Sequence, residues 1–135
     1  MANALFAKAK EHLGLGDIDL VNDDIKVVLV DEDDDTPVVA TDEFLSDIAA
    51  GARVATSGNL SGKSFTGGIF NATDITINSV SGDEFESIVI YQDTGDPETS
   101  LLIAYIDSAT GLPYTPTGNN ITITWDDAAA KIFAL

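Results

Sequence analysis

Two apolar runs in the second half of the chain, residues 87–91 and 101–106, restrict the folds open to this sequence. They read SIVIY and LLIAYI, and a polar connector containing Gly95 and Pro97 separates them. β-Branched and aromatic residues dominate both runs, which is typical of strands. Apolar residues fall on both faces of each predicted strand, because neighbouring side chains point to opposite sides. We therefore predict two central strands that are covered on both faces, by layers of the same domain or by another subunit.

Several further short strands are predicted between turn-forming segments. They lie at residues 25–31, 53–56, 69–78 and 121–126. In the last of these, Ile121, Ile123 and Trp125 alternate with polar residues, which predicts one buried and one exposed face. The closing residues 131–135, KIFAL, are apolar to the end, so we expect them to be pinned in a sheet or inserted into a partner. The pattern favours a mainly β fold, a single-domain antiparallel β-sandwich or barrel.

Two short helices complete the predicted fold. The first covers residues 2–13, with Asn3 as its N-cap. Its apolar stripe consists of Leu5, Phe6, Ala9 and Leu13. A short internal helix is expected after Thr41, which would cap it. Its buried side would consist of Phe44, Leu45 and Ile48. We accordingly divide the chain into an N-terminal helix or arm at residues 1–16 and a β domain at residues 17–135.

The 135-residue chain is strongly acidic, with 23 Asp and Glu residues against six Lys and Arg and a net charge of −17. The six bases are scattered and form no basic patch, so we expect no binding to nucleic acid or to anionic membranes. No apolar run approaches membrane-spanning length, and we predict no signal peptide. The absence of cysteine excludes disulfides and thiolate chemistry.

The densest acidic segment is DEDDD, at residues 31–35. Calcium and magnesium prefer carboxylate oxygens, which makes Asp31, Asp33 and Asp35 the candidate ligands for a metal ion. An EF-hand loop needs spaced ligands, a central glycine and a closing glutamate, and this segment lacks that order. We therefore predict a solvated acidic loop, with no specific metal site and no cofactor.

Two residues invite a catalytic interpretation. Asp93 begins the triplet Asp-Thr-Gly after an apolar strand, as in aspartic proteases, and a homodimer would supply two such residues. Asp and Gly are also ordinary turn residues, and Asp96-Pro97 follows at once, so a strand-ending turn is favoured. His12 has no cysteine or second histidine to join it and is predicted to lie at the surface. We predict no catalytic residues and no enzymatic activity.

Four aromatic residues, Tyr91, Tyr105, Tyr114 and Trp125, have the chemistry of a platform for stacking sugars. Strand spacing predicts that Tyr91, Tyr105 and Trp125 lie in the core, whereas Tyr114 lies between two prolines and is expected to be exposed. One functional alternative is therefore a host-surface or glycan-binding module that uses Tyr114 and the loop at residues 108–119.

Three segments carry a resemblance to a known group of proteins. They are FLSDIAAGARVATSGNLSGKS (44–64), SIVIYQDTGDPETSLLIAYIDSATGLPYTPTGNNITITWDD (87–127) and the closing KIFAL. Over most of its length the chain resembles small acidic virion proteins of tailed bacteriophages. The resemblance implies a structural role and supplies no catalytic motif. The DEDDD loop is longer and more acidic than the resemblance leads one to expect, which suggests local adaptation.

The resulting hypothesis is a capsid decoration, or cement, protein that binds the outside of the head shell and stabilises it. Its partners would be the major capsid protein and copies of itself, in a homo-oligomer such as a trimer, within a virion assembled in the host cytoplasm. The predicted partner-binding residues are Leu5, Phe6, Leu13, Tyr114, Ile132, Phe133 and Leu135. Trimming residues 1–16 or 131–135 should weaken attachment without unfolding the central sheet. A tail, neck or fibre-associated virion component is the alternative within the same class.

Overall fold

The computed structural model describes residues 3–129 and 131–135 and confirms a mainly β fold with antiparallel sheets. The strands of the main sheet are β1 (Ala4–Leu5), β2 (Ile25–Val30), β3 (Arg53–Thr56), β7 (Ser87–Gln92) and β8 (Leu101–Ile106). The strands of two smaller sheets are β4 (Ser64–Thr66), β5 (Ile69–Asn71), β6 (Ile75–Ile77), β9 (Ile121–Ile123) and β10 (Phe133–Ala134). One α-helix, α1 (Ala7–Leu15), lies near the N-terminus.

The main sheet has the order β1-β8-β7-β2-β3, and all of its neighbouring strands are antiparallel. β7 and β8 are the two central strands predicted from the sequence. β2 pairs with β7 along its whole length, from Ile25 opposite Gln92 to Val30 opposite Ser87. The centre of the fold is therefore built on β2, β7 and β8, which have six residues each.

Both faces of the main sheet are covered by the same chain. On β7, Ile88 and Ile90 point into one core, which we call the main core, and Val89 and Tyr91 point into a second core on the opposite face. The main core also contains Val27, Leu29, Phe70, Ile77, Ile103, Ile123 and Trp125. The second core also contains Phe6, Ala9, Val28, Val30, Leu45, Ile48, Leu102 and Tyr105. The prediction that the central strands are covered on both faces is confirmed, and the covering layers belong to the same domain.

The two smaller sheets cover the main core. β6 pairs with β9, and the other sheet has the order β10-β5-β4. The sequence predicted one strand at residues 69–78, but the structure divides it into β5 and β6, which lie in different sheets. The division falls where Thr73 donates its N–H to the Ser61 carbonyl and the Asp74 carboxylate accepts the Trp125 N–H. The closing residues are pinned in a sheet, because β10 pairs with β5.

The N-terminal helix begins later than the predicted residues 2–13. The residues before it form β1, and the Phe6 N–H donates to the Ile103 carbonyl at 3.0 Å. Asn3 is not an N-cap, because its side-chain oxygen accepts two backbone N–H groups of the loop after β8. α1 ends at Gly16, whose φ of 82° is the left-handed conformation that glycine adopts without strain. In the described part of the chain, no helix is long and apolar enough to cross a membrane.

The predicted internal helix after Thr41 is not an α-helix. Two short 3-10 turns, Leu45–Asp47 and Ala50–Ala52, take its place. The Asp47 carboxylate accepts the two N–H groups that precede the first turn, each at 2.9 Å, so Asp47 and not Thr41 caps it. The predicted apolar side is partly confirmed, with Leu45 and Ile48 buried and Phe44 half-buried.

Candidate functional site

A groove with a volume of about 750 Å³ runs between β9 and the end of the main sheet, and we call it the β9 groove. Its apolar lining includes Phe85, Ile88, Ile106, Leu112, Ile123 and Trp125. Its polar lining includes Asn120, Thr122, Thr124, Asp126 and Lys131. A groove of this size with a mixed lining has room for a small ligand or a short segment of another chain.

Tyr114 also lines the β9 groove and is half-buried, although the sequence predicted an exposed side chain. Its backbone forms a bridge with Phe85 through two N–H···O=C hydrogen bonds of 3.0 Å, and the two ring centroids lie 5.7 Å apart. These contacts hold the loop at residues 108–119 against the main sheet and cover one face of the ring. The other three residues considered for a sugar-stacking platform, Tyr91, Tyr105 and Trp125, are buried as predicted.

The three-stranded sheet carries apolar side chains from the main core to the surface. Phe65 on β4, Phe70 on β5 and Phe133 on β10 are direct cross-strand partners, so their side chains share one face. Phe70 is buried with its ring centroid 5.2 Å from that of Phe133, whereas Phe65 is 39% exposed and Leu135 is 59% exposed. We call Phe65, Phe133 and Leu135 the apolar rim. Ile132, also a predicted partner-binding residue, is half-buried against the main core.

Phe65 lies between the predicted strands at residues 53–56 and 69–78, so neither a strand nor a partner-binding role was predicted for it. The signal that identifies its strand is Gly67-Gly68, a pair that favours a two-residue hairpin turn. Both glycines have positive φ, 61° and 79°, and β4 and β5 flank them in antiparallel pairing. The turn therefore brings Phe65 beside Phe70 and completes the apolar rim.

The predicted partner-binding residues at the N-terminus face their own domain. Phe6 is fully buried in the second core, and Leu5 and Leu13 are half-buried against the main core. The prediction that Phe6 contacts a partner is therefore corrected, because β1 joins the edge of the main sheet and places Phe6 beneath it. The N-terminal segment is packed on the domain, and its contribution to any interface is limited to its exposed side chains.

The acidic loop brings several carboxylates together. Among the described residues, oxygens of Asp31, Asp33 and Glu86 lie within 4.8 Å of one another, and Asp31 forms a second such group with Asp34 and Asp83. We call these five residues the acidic cluster. The remaining candidate, Asp35, lies outside these groups, and its carboxylate accepts the Ala49 N–H at 2.7 Å. Burial, together with the neighbouring carboxylates, raises the pKa of Glu86 above its ordinary value.

His12 connects two distant segments. Its ring nitrogens lie 2.8 Å from carboxylate oxygens of Asp17 and Glu43, and the side chain is half-buried. Hydrogen bonds to Asp17 and then to Glu43 raise the pKa of His12 above its ordinary value, which favours the imidazolium form. The residue predicted to be an isolated surface histidine is thus a charged link between the helix end and the segment before the first 3-10 turn.

Asp93 forms an ion pair with Lys26 at 2.6 Å, and its other oxygen accepts the Gly95 N–H at 3.0 Å. The hydrogen bond from Lys26 and then that from Gly95 lower the pKa of Asp93. Asp93 therefore lies in the turn that follows β7, and its ion pair links this turn to Lys26 on β2. Each hydrogen bond favours the ionised carboxylate.

Comparison with known proteins assigns neither a family nor a function to this chain. Neither a scan against protein-family models nor a search of curated proteins finds a match.

Proposed function

We propose that this chain is a structural protein of a bacteriophage virion, a decoration protein that binds the outside of the head shell as a homo-oligomer. The resemblance of residues 44–64 and 87–127 to phage virion proteins is the source of the virion assignment. The structural observation that supports a role in assembly is the apolar rim, which carries apolar side chains to the surface of a strongly acidic protein.

The apolar rim lies where a neighbour has access to both side chains and backbone. β4 and β10 are the two outer strands of their sheet, and within the described residues neither pairs with a strand on its outer side. Outer strands present backbone groups that favour pairing with another chain. Copies with a net charge of −17 repel one another, so association requires local apolar contacts, screening cations or a basic partner.

The packing of the domain also suits a protein that attaches to a shell already formed. Both cores are filled by residues of the same chain, so the fold does not depend on a partner to cover its central strands. A protein of this kind folds first and then attaches to the shell, and its surface residues determine that attachment. A fold that is complete without a partner is better suited to a decoration protein than to a shell subunit, whose core would be completed during shell assembly.

The structure changes the design of the truncation test. Removing residues 1–16 would take Phe6 and Ala9 out of the second core, so loss of attachment would not be separable from loss of folding. Point substitutions at the apolar rim avoid this difficulty. Phe65→Ser and Leu135→Ser alter exposed side chains, and Val21→Ser is a matched control because Val21 is 40% exposed and lies outside the rim.

The test begins with the copy number of this chain in purified particles, relative to the major shell protein, by quantitative mass spectrometry. A ratio near that of the shell subunit is the expected result. A few copies per particle would assign the protein to the tail or neck, and absence from particles would reject a virion role. Undecorated shells should then bind the wild-type and Val21→Ser proteins but bind the two rim variants more weakly. Equal binding by all four proteins would reject the apolar rim as the attachment surface.

A further inference from the structure

Among the residues that the structure describes, β9 has a strand neighbour on one side only. Within residues 3–129 and 131–135, β6 is the only strand that pairs with it. Seven consecutive residues, 120–126, line the β9 groove, and no residue of β6 does. Neighbouring side chains of a strand point to opposite faces, so a groove lined by consecutive residues runs beside the strand edge. The β9 groove is therefore the space in which another strand would pair with β9.

The backbone direction along β9 follows from one hydrogen bond. The Trp125 N–H donates to the Asp74 carboxylate at 2.9 Å, on the side of β9 where β6 lies. Backbone groups alternate in direction along a strand, so those of Ile121 and Ile123 also point toward β6. The backbone N–H and carbonyl of Thr122 then point away from β6 and into the groove.

The threonine pair between β6 and β9 supports the same direction. Thr122 lies directly opposite Thr76, and their hydroxyl oxygens are 2.9 Å apart. In an antiparallel ladder, the pair that does not exchange backbone hydrogen bonds brings its side chains closer together. Thr124 lies just beyond the end of β9, and the Trp125 N–H that follows it points toward β6, so by the same alternation we expect the backbone groups of Thr124 to point into the groove. The groove is thus edged by the backbone groups of two threonines.

We propose that the β9 groove binds an extended peptide segment of another protein, which adds as a strand to the open edge of β9. Thr122 and Thr124 would supply the backbone hydrogen bonds. Alternate side chains of the segment would enter the apolar part of the groove, where Ile88, Ile106 and Leu112 lie. A segment of about seven residues matches the length of chain that lines the groove, because each residue of a strand spans about 3.3 Å.

The charge of the protein selects a basic segment. The chain has a net charge of −17, and exposed Asp126 lines the groove with exposed Asp127 beside it. Asp126 is the only acid and Lys131 the only base among the lining residues, so the preference for a basic segment comes from the acidic surface of the protein as a whole. We therefore assign as occupant a segment of the shell subunit that alternates basic and apolar residues. The assignment of the segment to the shell subunit rests on the proposed function, whereas strand addition to β9 does not.

The β9 groove is less suited to a sugar. Sugar stacking needs an accessible aromatic face, and Trp125 is only 7% exposed, with its indole N–H donated to the Thr73 carbonyl at 3.2 Å. Phe85 is buried, and its ring packs against that of Tyr114. The groove thus presents a strand edge and an apolar floor rather than a free aromatic platform.

The experiment measures binding of the full-length protein to overlapping synthetic peptides that together cover the major shell protein. Thr122→Pro removes the N–H that would bond the added strand, and proline is tolerated in a strand whose N–H faces away from its paired neighbour. Thr122→Val is the matched control, because it keeps the N–H and removes only the hydroxyl group. We expect at least one basic peptide to bind the wild-type and Thr122→Val proteins and to bind Thr122→Pro about tenfold more weakly.

Backbone amide exchange measured by NMR locates the bound peptide. Exchange at Thr122 and Thr124 should slow when the peptide binds. A thermal melt verifies that Thr122→Pro is folded, and if it is not, Thr124→Pro tests the next backbone N–H on the same edge. Absence of peptide binding to the wild-type protein would overturn the proposal, as would equal binding by a folded proline variant. Binding of oligosaccharides that is lost in Tyr114→Ala, with no peptide binding, would replace it with the glycan alternative.

The particle assay separates this proposal from the proposed function. If the wild-type and Thr122→Pro proteins attach to shells equally well, the groove does not hold the shell segment, and decoration stands. If the wild-type protein is absent from particles, decoration is rejected, and a shell peptide that nevertheless protects Thr122 would establish strand addition by itself.

Discussion

The hydroxyl group of Tyr105 donates to both carboxylate oxygens of Glu32, at 2.9 and 2.8 Å. Tyr105 lies on β8 and is buried in the second core, whereas Glu32 is half-buried at the start of the acidic loop. Burial, followed by the hydrogen bond to Glu32, raises the pKa of Tyr105, so the phenol stays protonated and remains a donor. The pair ties the acidic loop to the centre of the main sheet.

Replacing Tyr105 with phenylalanine should lower the free energy of unfolding by about 1.5–3 kcal/mol, the typical contribution of a hydrogen bond to a charged group. The ring is retained, so the loss reports the hydroxyl group rather than core packing. Urea unfolding at neutral pH measures the change. Glu32→Gln is the control, because its side-chain carbonyl can still accept the hydroxyl group, and its effect should be smaller. An unchanged urea midpoint for Tyr105→Phe would show that the bond contributes nothing.

His12 should contribute stability that depends on pH. Its pKa is raised from 6.5 in the folded protein, because the Asp17 and Glu43 carboxylates accept hydrogen bonds from the imidazolium form. This contribution is fully present below pH 6.5, where the imidazole is protonated in both the folded and the unfolded chain. It is lost as the pH rises through the folded pKa.

The difference in unfolding free energy between wild type and His12→Gln should therefore be about 1 kcal/mol in mildly acidic solution and should fall toward zero in alkaline solution. Denaturant unfolding across this pH range measures it. Lys10→Gln is the control for the loss of a positive charge, because Lys10 is an exposed base on the same helix. A His12 contribution that grows as the pH rises would contradict the charged link.

Lys26 and Asp93 should show a direct energetic coupling. Both side chains are largely buried, with exposed fractions of 26% and 20%. A double-mutant cycle with Lys26→Met and Asp93→Asn should give a coupling of about 1 kcal/mol. The pKa of Asp93 is lowered from 3.8, so its contribution is present above that pH and is lost as the pH falls through the folded pKa. A coupling of zero at neutral pH would reject the pair as a stabilising contact.

The same Asp93→Asn protein tests the protease alternative. Asp93 forms an ion pair with Lys26 and accepts a backbone N–H of its own turn. These contacts are those of a residue that stabilises the fold. We expect no hydrolysis of an unfolded protein substrate by the wild type, and hence no activity for Asp93→Asn to lose. Hydrolysis that disappears in this variant would support the catalytic interpretation.

The central strands were predictable because their signal is local. β-Branched and aromatic residues at 87–91 and 101–106 define both strands, and their lack of alternation correctly predicted two buried faces. The alternation of Ile121, Ile123 and Trp125 likewise predicted their inward orientation. These features depend on side chains a few residues apart, which the sequence displays directly.

The start of the fold was not predictable in the same way. The helical apolar pattern predicted one helix over residues 2–13, but β1 forms because its backbone pairs with β8, about a hundred positions further along. The link from His12 to Glu43 also joins residues that are 31 positions apart. Such contacts depend on where the sheet places each segment. The β9 groove and the acidic cluster have the same origin, since each is assembled from distant parts of the chain.

The acidic cluster should destabilise the fold at low ionic strength. Asp83 is exposed, and its carboxylate lies within 4.8 Å of those of Asp31 and Asp34. Asp83→Asn relieves repulsion between like charges, so it should raise the melting temperature by about 1–3 °C in dilute buffer. The gain should shrink in about 1 M salt, where screening acts over roughly 3 Å. Differential scanning calorimetry at the two salt concentrations measures both effects.

Glu98→Gln separates this local repulsion from the total charge of the protein. Both substitutions change the net charge by the same amount, but Glu98 is exposed and lies outside the acidic cluster. If the crowding of carboxylates around Asp31 is the cause, Asp83→Asn should raise the melting temperature more than Glu98→Gln does. Equal shifts would mean that the repulsion is spread over the whole acidic surface, and the cluster would then have no separate energetic effect.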